Sequence, residues 1–208
     1  MSLVIYLDHN ATTPILPEVL EAMMPYLTTE WGNPSSSYKF GSKLKSVIET
    51  AREQVAELIG APSRDVIFTS CATESNNAAI AAALRGTGIL PVKGQSQTRA
   101  GSPCHVKRHI VTSQVEHSSV LNFCMALEKE GYRVTYLPVD REGLLNLADL
   151  EAAITDETAV VSLMWANNET GVLFPVESIA EICQSRGVLY HFDAVQAAGK
   201  APFTWLWG

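Results

Sequence analysis

The sequence holds four cysteines in 208 residues, Cys71, Cys104, Cys124 and Cys183, and no two of them form a Cys-x-x-Cys pair. This scatter signals neither a zinc site nor a disulfide framework, which leaves free thiols in a reducing compartment as the expectation. There is also no apolar run of about 18 residues, the length needed to cross a bilayer. The opening residues Met-Ser-Leu-Val-Ile-Tyr-Leu-Asp carry neither a basic leader nor an export-length apolar segment, so a cytoplasmic location is expected. Positive charge is scarce as well. Lys and Arg number 15 against 22 Asp and Glu, for a formal net charge of -7, and no basic block stands out. That balance argues against a nucleic-acid or anionic-membrane partner. What is present, 47% hydrophobic and 18% charged residues without an internal repeat, is the composition of a globular protein with a sizeable core.

The stretch from Val188 to Gly199, Val-Leu-Tyr-His-Phe-Asp-Ala-Val-Gln-Ala-Ala-Gly, organises the rest. Residues 188–192 are rich in β-branched and aromatic side chains and predict a buried strand, which places Asp193 at its carboxyl end and Gln196 just beyond. Open α/β sheets bind ligands at that end of their strands. A carboxylate there needs a partner, and a cationic ligand atom such as a pyridinium nitrogen is one candidate. Capping of the next helix is the alternative.

Earlier in the chain, residues 4–7 read as a short strand and residues 8–14 as a polar turn held against something polar. Pro17 opens a helix to about residue 26, followed by a turn-rich stretch at 31–37. From residue 42 to 59, Leu44, Val47, Ile48, Ala51, Val55, Leu58 and Ile59 recur at intervals of three and four, and Gly60 closes the helix. Residues 65–68 predict a strand, and Thr69-Ser-Cys-Ala-Thr-Glu-Ser-Asn76 turns into a helix running to about residue 84. Small and hydroxyl residues at such a turn offer unpaired amides to an anion, so a phosphate fits there. The plainer reading makes Thr73 the N-cap, with Asn76 or Glu74 completing the first turn.

Residues 86–106, rich in Gly and Pro and without a period, read as an inserted surface loop. A strand at 108–112 leads to His117 at the start of a helix spanning 120–129, where a neutral imidazole could stack on a flat ring or relay a proton. Simple satisfaction by hydrogen bonds at the helix start is the alternative. Strands at 132–137 and 159–164, helices at 147–154 and 176–185, and the turn Trp165-Ala-Asn-Asn-Glu-Thr-Gly171 complete the pattern. Apolar strands separated by helices indicate an α/β fold with a mostly parallel sheet covered by helices on both faces. In such a sheet the strand ends share one edge, which brings Thr73, His117, Asn168, Asp193 and Gln196 together without sequence proximity. A phosphate cup, a stacking imidazole, an amide and a carboxylate for a ring nitrogen describe a pyridoxal phosphate pocket.

Six blocks carry a resemblance: residues 6–14, Gly32-Asn-Pro-Ser-Ser36, residues 68–76, Glu116-His117, Asn167-Asn-Glu-Thr-Gly171 and His191-Phe-Asp-Ala-Val-Gln196. They resemble the NifS/IscS-like cysteine desulfurases of the class-V aminotransferase group. The resemblance implies the N-terminal part of a pyridoxal phosphate transferase of fold type I, with a segment at about 1–40 and a large cofactor-binding domain at about 41–208. It implies removal of sulfur from L-cysteine, giving alanine and a persulfide for iron–sulfur cluster or thiocofactor assembly, by a homodimer that works with a sulfur-acceptor or scaffold protein. Ala72 and Thr73 would bind the phosphate and His117 would stack on the ring and move protons. Asn168 would lie beside the ring, Gln196 would bond its phenolic oxygen and Asp193 would hold its nitrogen protonated. Selenocysteine lyase or another class-V lyase, and a non-catalytic fragment binding an intact homologue, are the competing expectations.

The resemblance also implies parts that this sequence does not match. The family's cofactor-anchoring lysine and its nucleophilic cysteine lie beyond the block matching Gln196, so the chain alone is expected to be inactive, C-terminally truncated and poorly soluble or dependent on a partner. Lys200 reads as a solvated loop lysine. Cys71 stands where the family usually has Gly, with no base or cation in view to activate it. The apolar ending at residues 201–208 reads as the product of an interrupted reading frame.

Overall fold

The computed structural model describes residues 5–85 and 107–201. The insertion expected at 86–106, Cys104 and the apolar ending at 202–208 lie outside the described residues. The chain divides into two compact units, one before Thr69 and one spanning Thr69–Lys200.

The first unit is helical. Pro17, whose fixed φ suits a first helical turn, opens α1 (Pro17–Thr28), which buries none of its residues. Helix α2 (Lys39–Ile59) ends on Gly60 at φ 65°, a left-handed cap that returns its N–H to Ala56 O. Gly41 lies against Asn33 O and Ser36 Oγ so closely that no Cβ fits, which seats the turn at 33–36 on the start of the helix. The apolar period of α2 is present, yet only Leu44 of the expected positions is buried, together with Ala56, while Leu58 stays 63% exposed.

The strands expected at residues 4–7 and 65–68 do not form. Val4 is outside the described residues, residues 5–7 are irregular, Asp65 closes a 3-10 turn (Ser63–Asp65), and Val66 to Phe68 run without a ladder. Their β-branched and aromatic residues suit a pleated surface, but a strand gains stability only where a neighbour accepts its backbone bonds. Arg52 anchors the extended segment instead, donating from Nη1 to Val66 O at 2.6 Å and lying 4.8 Å from the Phe68 ring centroid.

The second unit holds a four-stranded, all-parallel sheet in the order β2-β1-β3-β4, made of β1 (His109–Ser113), β2 (Arg133–Leu137), β3 (Thr158–Met164) and β4 (Leu189–Asp193). The central strands β1 and β3 are buried along their whole length, as apolar runs in a doubly covered sheet must be. Helices α3 (Ala72–Arg85) and α4 (Ser118–Lys129) cover one face, where Ile80, Leu84, Val120 and Cys124 pack on Ile110 and Val160. Helices α5 (Leu147–Ala153) and α6 (Val176–Ser185) belong to the other, where Leu150, Ile179 and Cys183 pack with Val111, Val161 and Leu163. The expected α/β fold with helices on both faces is therefore the observed one, with element ends within a few residues of the sequence reading.

Polar pins lock the strands at both ends. At the amino edge His109, fully buried, bonds Thr158 Oγ1 (2.8 Å) on one neighbour and Thr135 Oγ1 (2.9 Å) on the other. At the carboxyl edge Glu116 Oε1 accepts from Ser113 Oγ at 2.6 Å and from Met164 N at 3.0 Å, tying the ends of β1 and β3.

Candidate functional site

Because every strand runs the same way, Ser113, Met164 and Asp193 end on one edge of the sheet, and the loops that follow them share a rim. Asp193 is the last residue of β4 and is 8% exposed. Its Oδ1 accepts from Val195 N at 3.1 Å, which caps the turn that follows, and its Oδ2 accepts from Asn76 Nδ2 at 2.8 Å. Asn76 is buried one turn into α3, and the same Nδ2 reaches Ser119 Oγ at 3.0 Å. Ser119 in turn contacts His117 Nδ1 through its hydroxyl at 2.9 Å and its backbone N–H at 3.2 Å.

Two of the site residues read from the sequence, Asp193 and His117, are thus joined by Asn76, read there only as a helix-turn residue, and by Ser119. His117 is the N-cap of α4, at φ -60° and ψ 151°, so its helix-start position and its hydrogen-bonded satisfaction both hold. Thr73 stands in the first turn of α3, where it lines an open depression of about 330 Å³ with Asn77, Ser118, Ser119, Asn122 and Phe123. Ala72 is the first helical residue, so Thr73 is not the N-cap, and Asn76 does not complete the first turn. Glu74 does, accepting from Ser70 N at 2.8 Å and Ser70 Oγ at 2.6 Å. Cys71 precedes the helix, and its thiol is drawn down by a bond from the Glu74 backbone, with Ser70 assisting. Donors at the start of a helix are what lower it.

Asn168 stands in the turn after β3 and donates to Glu169 Oε1 at 3.0 Å, while Gln196 Oε1 accepts from exposed Lys200 Nζ at 2.7 Å. Strand order puts both loops on the same edge as Asp193. The turn holding Asn168 is shaped by its buried neighbour Asn167, whose Oδ1 accepts from Glu169 N and Thr170 N, both at 2.9 Å, and whose Nδ2 donates to Val115 O at 3.1 Å.

Burial sets the electrostatics of the rim. It raises the Glu116 carboxyl from 4.5 to about 7, the bonds from Ser113 and Met164 oppose it, and the charge of Asp193 adds to the rise. Burial lowers His191, whose Nδ1 lies 2.9 Å from Ser162 Oγ, against the pull of Asp193. Asp193 itself is met by neutral donors and, among the described residues, forms no ion pair. A buried carboxylate with neutral donors only is suited to a cationic ring nitrogen, so the residues fit the pyridinium of pyridoxal phosphate. Asn76, Ser119 and Glu116 escaped the sequence reading of this site because each reads locally as a helix-turn or strand-end residue.

Proteins of known name are similar to this chain along nearly its whole length. A cysteine desulfurase 2 from Trichormus variabilis is 53% identical over 199 residues, covering 96% of this chain and 46% of the relative. Among solved structures, a NifS-like protein superposes with a TM-score of 0.85 at 36% identity, over 97% of this chain and 52% of that one. The protein SspA, solved in complex with cysteine, superposes with a TM-score of 0.81 at 33% identity, over 92% and 51% of the two chains. The chain therefore spans about half the length of the curated relatives it matches. The profile described as "Aminotransferase class-V" matches residues 5–205, nearly the whole sequence and all of the rim, and on that match this chain belongs to the class-V aminotransferase family.

Proposed function

We propose that this chain carries the cofactor-binding part of a cysteine desulfurase, a pyridoxal phosphate enzyme that takes sulfur from L-cysteine and leaves alanine. The observation that carries the reading is Asp193, a buried carboxylate at a strand's carboxyl end, supported by neutral donors and linked to His117. The named relatives support the substrate class.

When bound, pyridoxal phosphate supplies a conjugated cationic ring that draws electron density from a substrate carbon. Asp193 would hold the ring nitrogen protonated, and its own orientation is kept by Asn76 and Val195. The first turn of α3, with Ala72 and Thr73, would bind the phosphate through amides and the Thr73 hydroxyl at a helix start. His117 would stack on the ring and move protons, Asn168 would lie beside ring and substrate, and Gln196 would donate to the phenolic oxygen. In this reading the parent protein is a cytoplasmic homodimer that hands its persulfide sulfur to an acceptor or scaffold protein for iron–sulfur cluster or thiocofactor assembly.

The test is a titration of the purified chain with pyridoxal phosphate, followed by absorbance, beside Asp193→Ala. Saturable binding that weakens at least about tenfold in the variant, a difference of 1.4 kcal/mol, is expected. Equal behaviour of both chains, or no saturable binding by either, overturns the reading. Release of sulfide and alanine from L-cysteine, with selenocysteine as competitor, then identifies the substrate in the protein that contains this chain.

A further inference from the structure

The network behind the rim has a direction, and chemistry sets it. A carboxylate accepts and never donates, so the Asn76 amide has to present its nitrogen, Nδ2, to Asp193 Oδ2 at 2.8 Å. The second hydrogen of that nitrogen points to Ser119 Oγ at 3.0 Å. With Oγ serving as acceptor, the Ser119 hydroxyl proton is free to point along the remaining contact, 2.9 Å to His117 Nδ1. Nδ1 also meets Ser119 N–H at 3.2 Å, so it is the unprotonated ring nitrogen, and the hydrogen of the neutral imidazole sits on Nε2. Asn76 and Ser119 are 3% and 7% exposed, which limits competition from water for these bonds.

We infer that Asn76 is a positioning residue that couples Asp193 to His117: it orients the carboxylate and, through the Ser119 hydroxyl, helps keep the hydrogen of His117 on Nε2. The use of this coupling rests on the proposed function, which puts Asp193 at the ring nitrogen and His117 against the ring. Its existence does not, because the histidine ring reports it without cofactor.

The experiment is long-range proton–nitrogen correlation on the chain carrying nitrogen-15 histidine, recorded for wild type, Ser119→Ala, Asn76→Ala and the double exchange N76D/D193N. The double exchange keeps shape, charge and the bond between the two positions, but residue 76 then accepts from the Ser119 hydroxyl and turns it away from His117. The wild type is expected to show an Nε2-protonated His117 ring. Ser119→Ala and the double exchange are expected to move the Nδ1 signal downfield in the same sense, as for a nitrogen that has lost a donor, with Asn76→Ala following more weakly. An Nδ1-protonated wild-type ring overturns the inference. So does an Nδ1 signal unmoved by any change at position 76, since the backbone amide of Ser119 alone would then hold the ring. Should the double exchange lose its far-ultraviolet helix signal, Asn76→Ala decides between the same two outcomes. A failure to bind pyridoxal phosphate would count against the proposed function and leave the ring result standing.

Discussion

Asn76 Nδ2 lies 2.8 Å from Asp193 Oδ2, joining the first turns of α3 to the end of β4 across 117 positions of sequence. The bond is buried, and both of its partners sit where the sheet's carboxyl edge meets the start of a helix. Truncating the amide removes the donor to Asp193 Oδ2 and the donor to Ser119 at once. Asn76→Ala is expected to lower unfolding stability by about 1–3 kcal/mol, the cost of a buried group left unsatisfied, measured as a shift of urea midpoint at unchanged m-value. A loss below a few tenths would mean that water replaces the amide.

Glu116 makes the stability fall as the solution becomes more alkaline. Its folded carboxyl is raised from 4.5 to about 7, so the native state holds a proton that the unfolded chain has already released over that interval. Stability is full below about 4.5 and is lost as pH climbs through about 7, by about 3 kcal/mol in order of magnitude. Glu116→Gln keeps an oxygen to accept from Ser113 and Met164 while removing the titration. Urea unfolding from pH 5 to pH 8 is expected to show the decline in wild type and its absence in the variant.

His109 acts in the opposite sense. Burial, helped by the charge of Arg133, lowers it from 6.5 to about 4, so the native ring is neutral where the unfolded one is charged. Its contribution is complete above about 6.5 and is lost as pH drops toward about 4. With the carboxyl titration removed in Glu116→Gln, unfolding between pH 4 and pH 7 is expected to retain this acid-side loss. A flat profile in that variant would show that His109 takes up its proton without cost.

The thiols differ in reactivity for reasons of position. Cys71 is exposed and lowered by donors at the start of α3, whereas burial pushes Cys124 and Cys183 up to about 12. Brief alkylation at neutral pH, read by peptide mass spectrometry, is expected to modify Cys71 well before Cys124 or Cys183, with the latter two reacting only on unfolding. Early labelling of Cys183 would mean that α6 opens in the native state.

Gly60 caps α2 at φ 65°, a conformation that costs an L side chain about 1 kcal/mol. Gly60→Ala is expected to destabilise the chain by that amount in thermal or urea unfolding. A neutral result would show that the end of α2 relaxes to another cap.

Local order was legible because its causes are local. The intervals of three and four in α2, the terminating Gly60 and the apolar runs of β1 and β3 each act within a few residues of themselves, and elements form where they indicate. The parallel sheet followed from strands alternating with helices, and with it the shared edge reached by the loops of His117, Asn168 and Asp193, whereas the strand expected before Thr73 does not form. Residues 66–68 mark where such reading stops, since their composition is that of a strand but a strand also needs a neighbour.

The sequence by itself determined the periodic elements, the doubly covered parallel sheet and the edge on which its polar residues gather, because apolar spacing and strand direction are enough for these. Tertiary structure alone decided that Asn76 and Ser119 join Asp193 to His117, that Glu116 holds its proton to about 7, and that the apolar side of α2 stays largely exposed. Each of these depends on what a side chain meets from a distant part of the chain, and hydrogen-bond direction, desolvation and packing have no counterpart in local spacing.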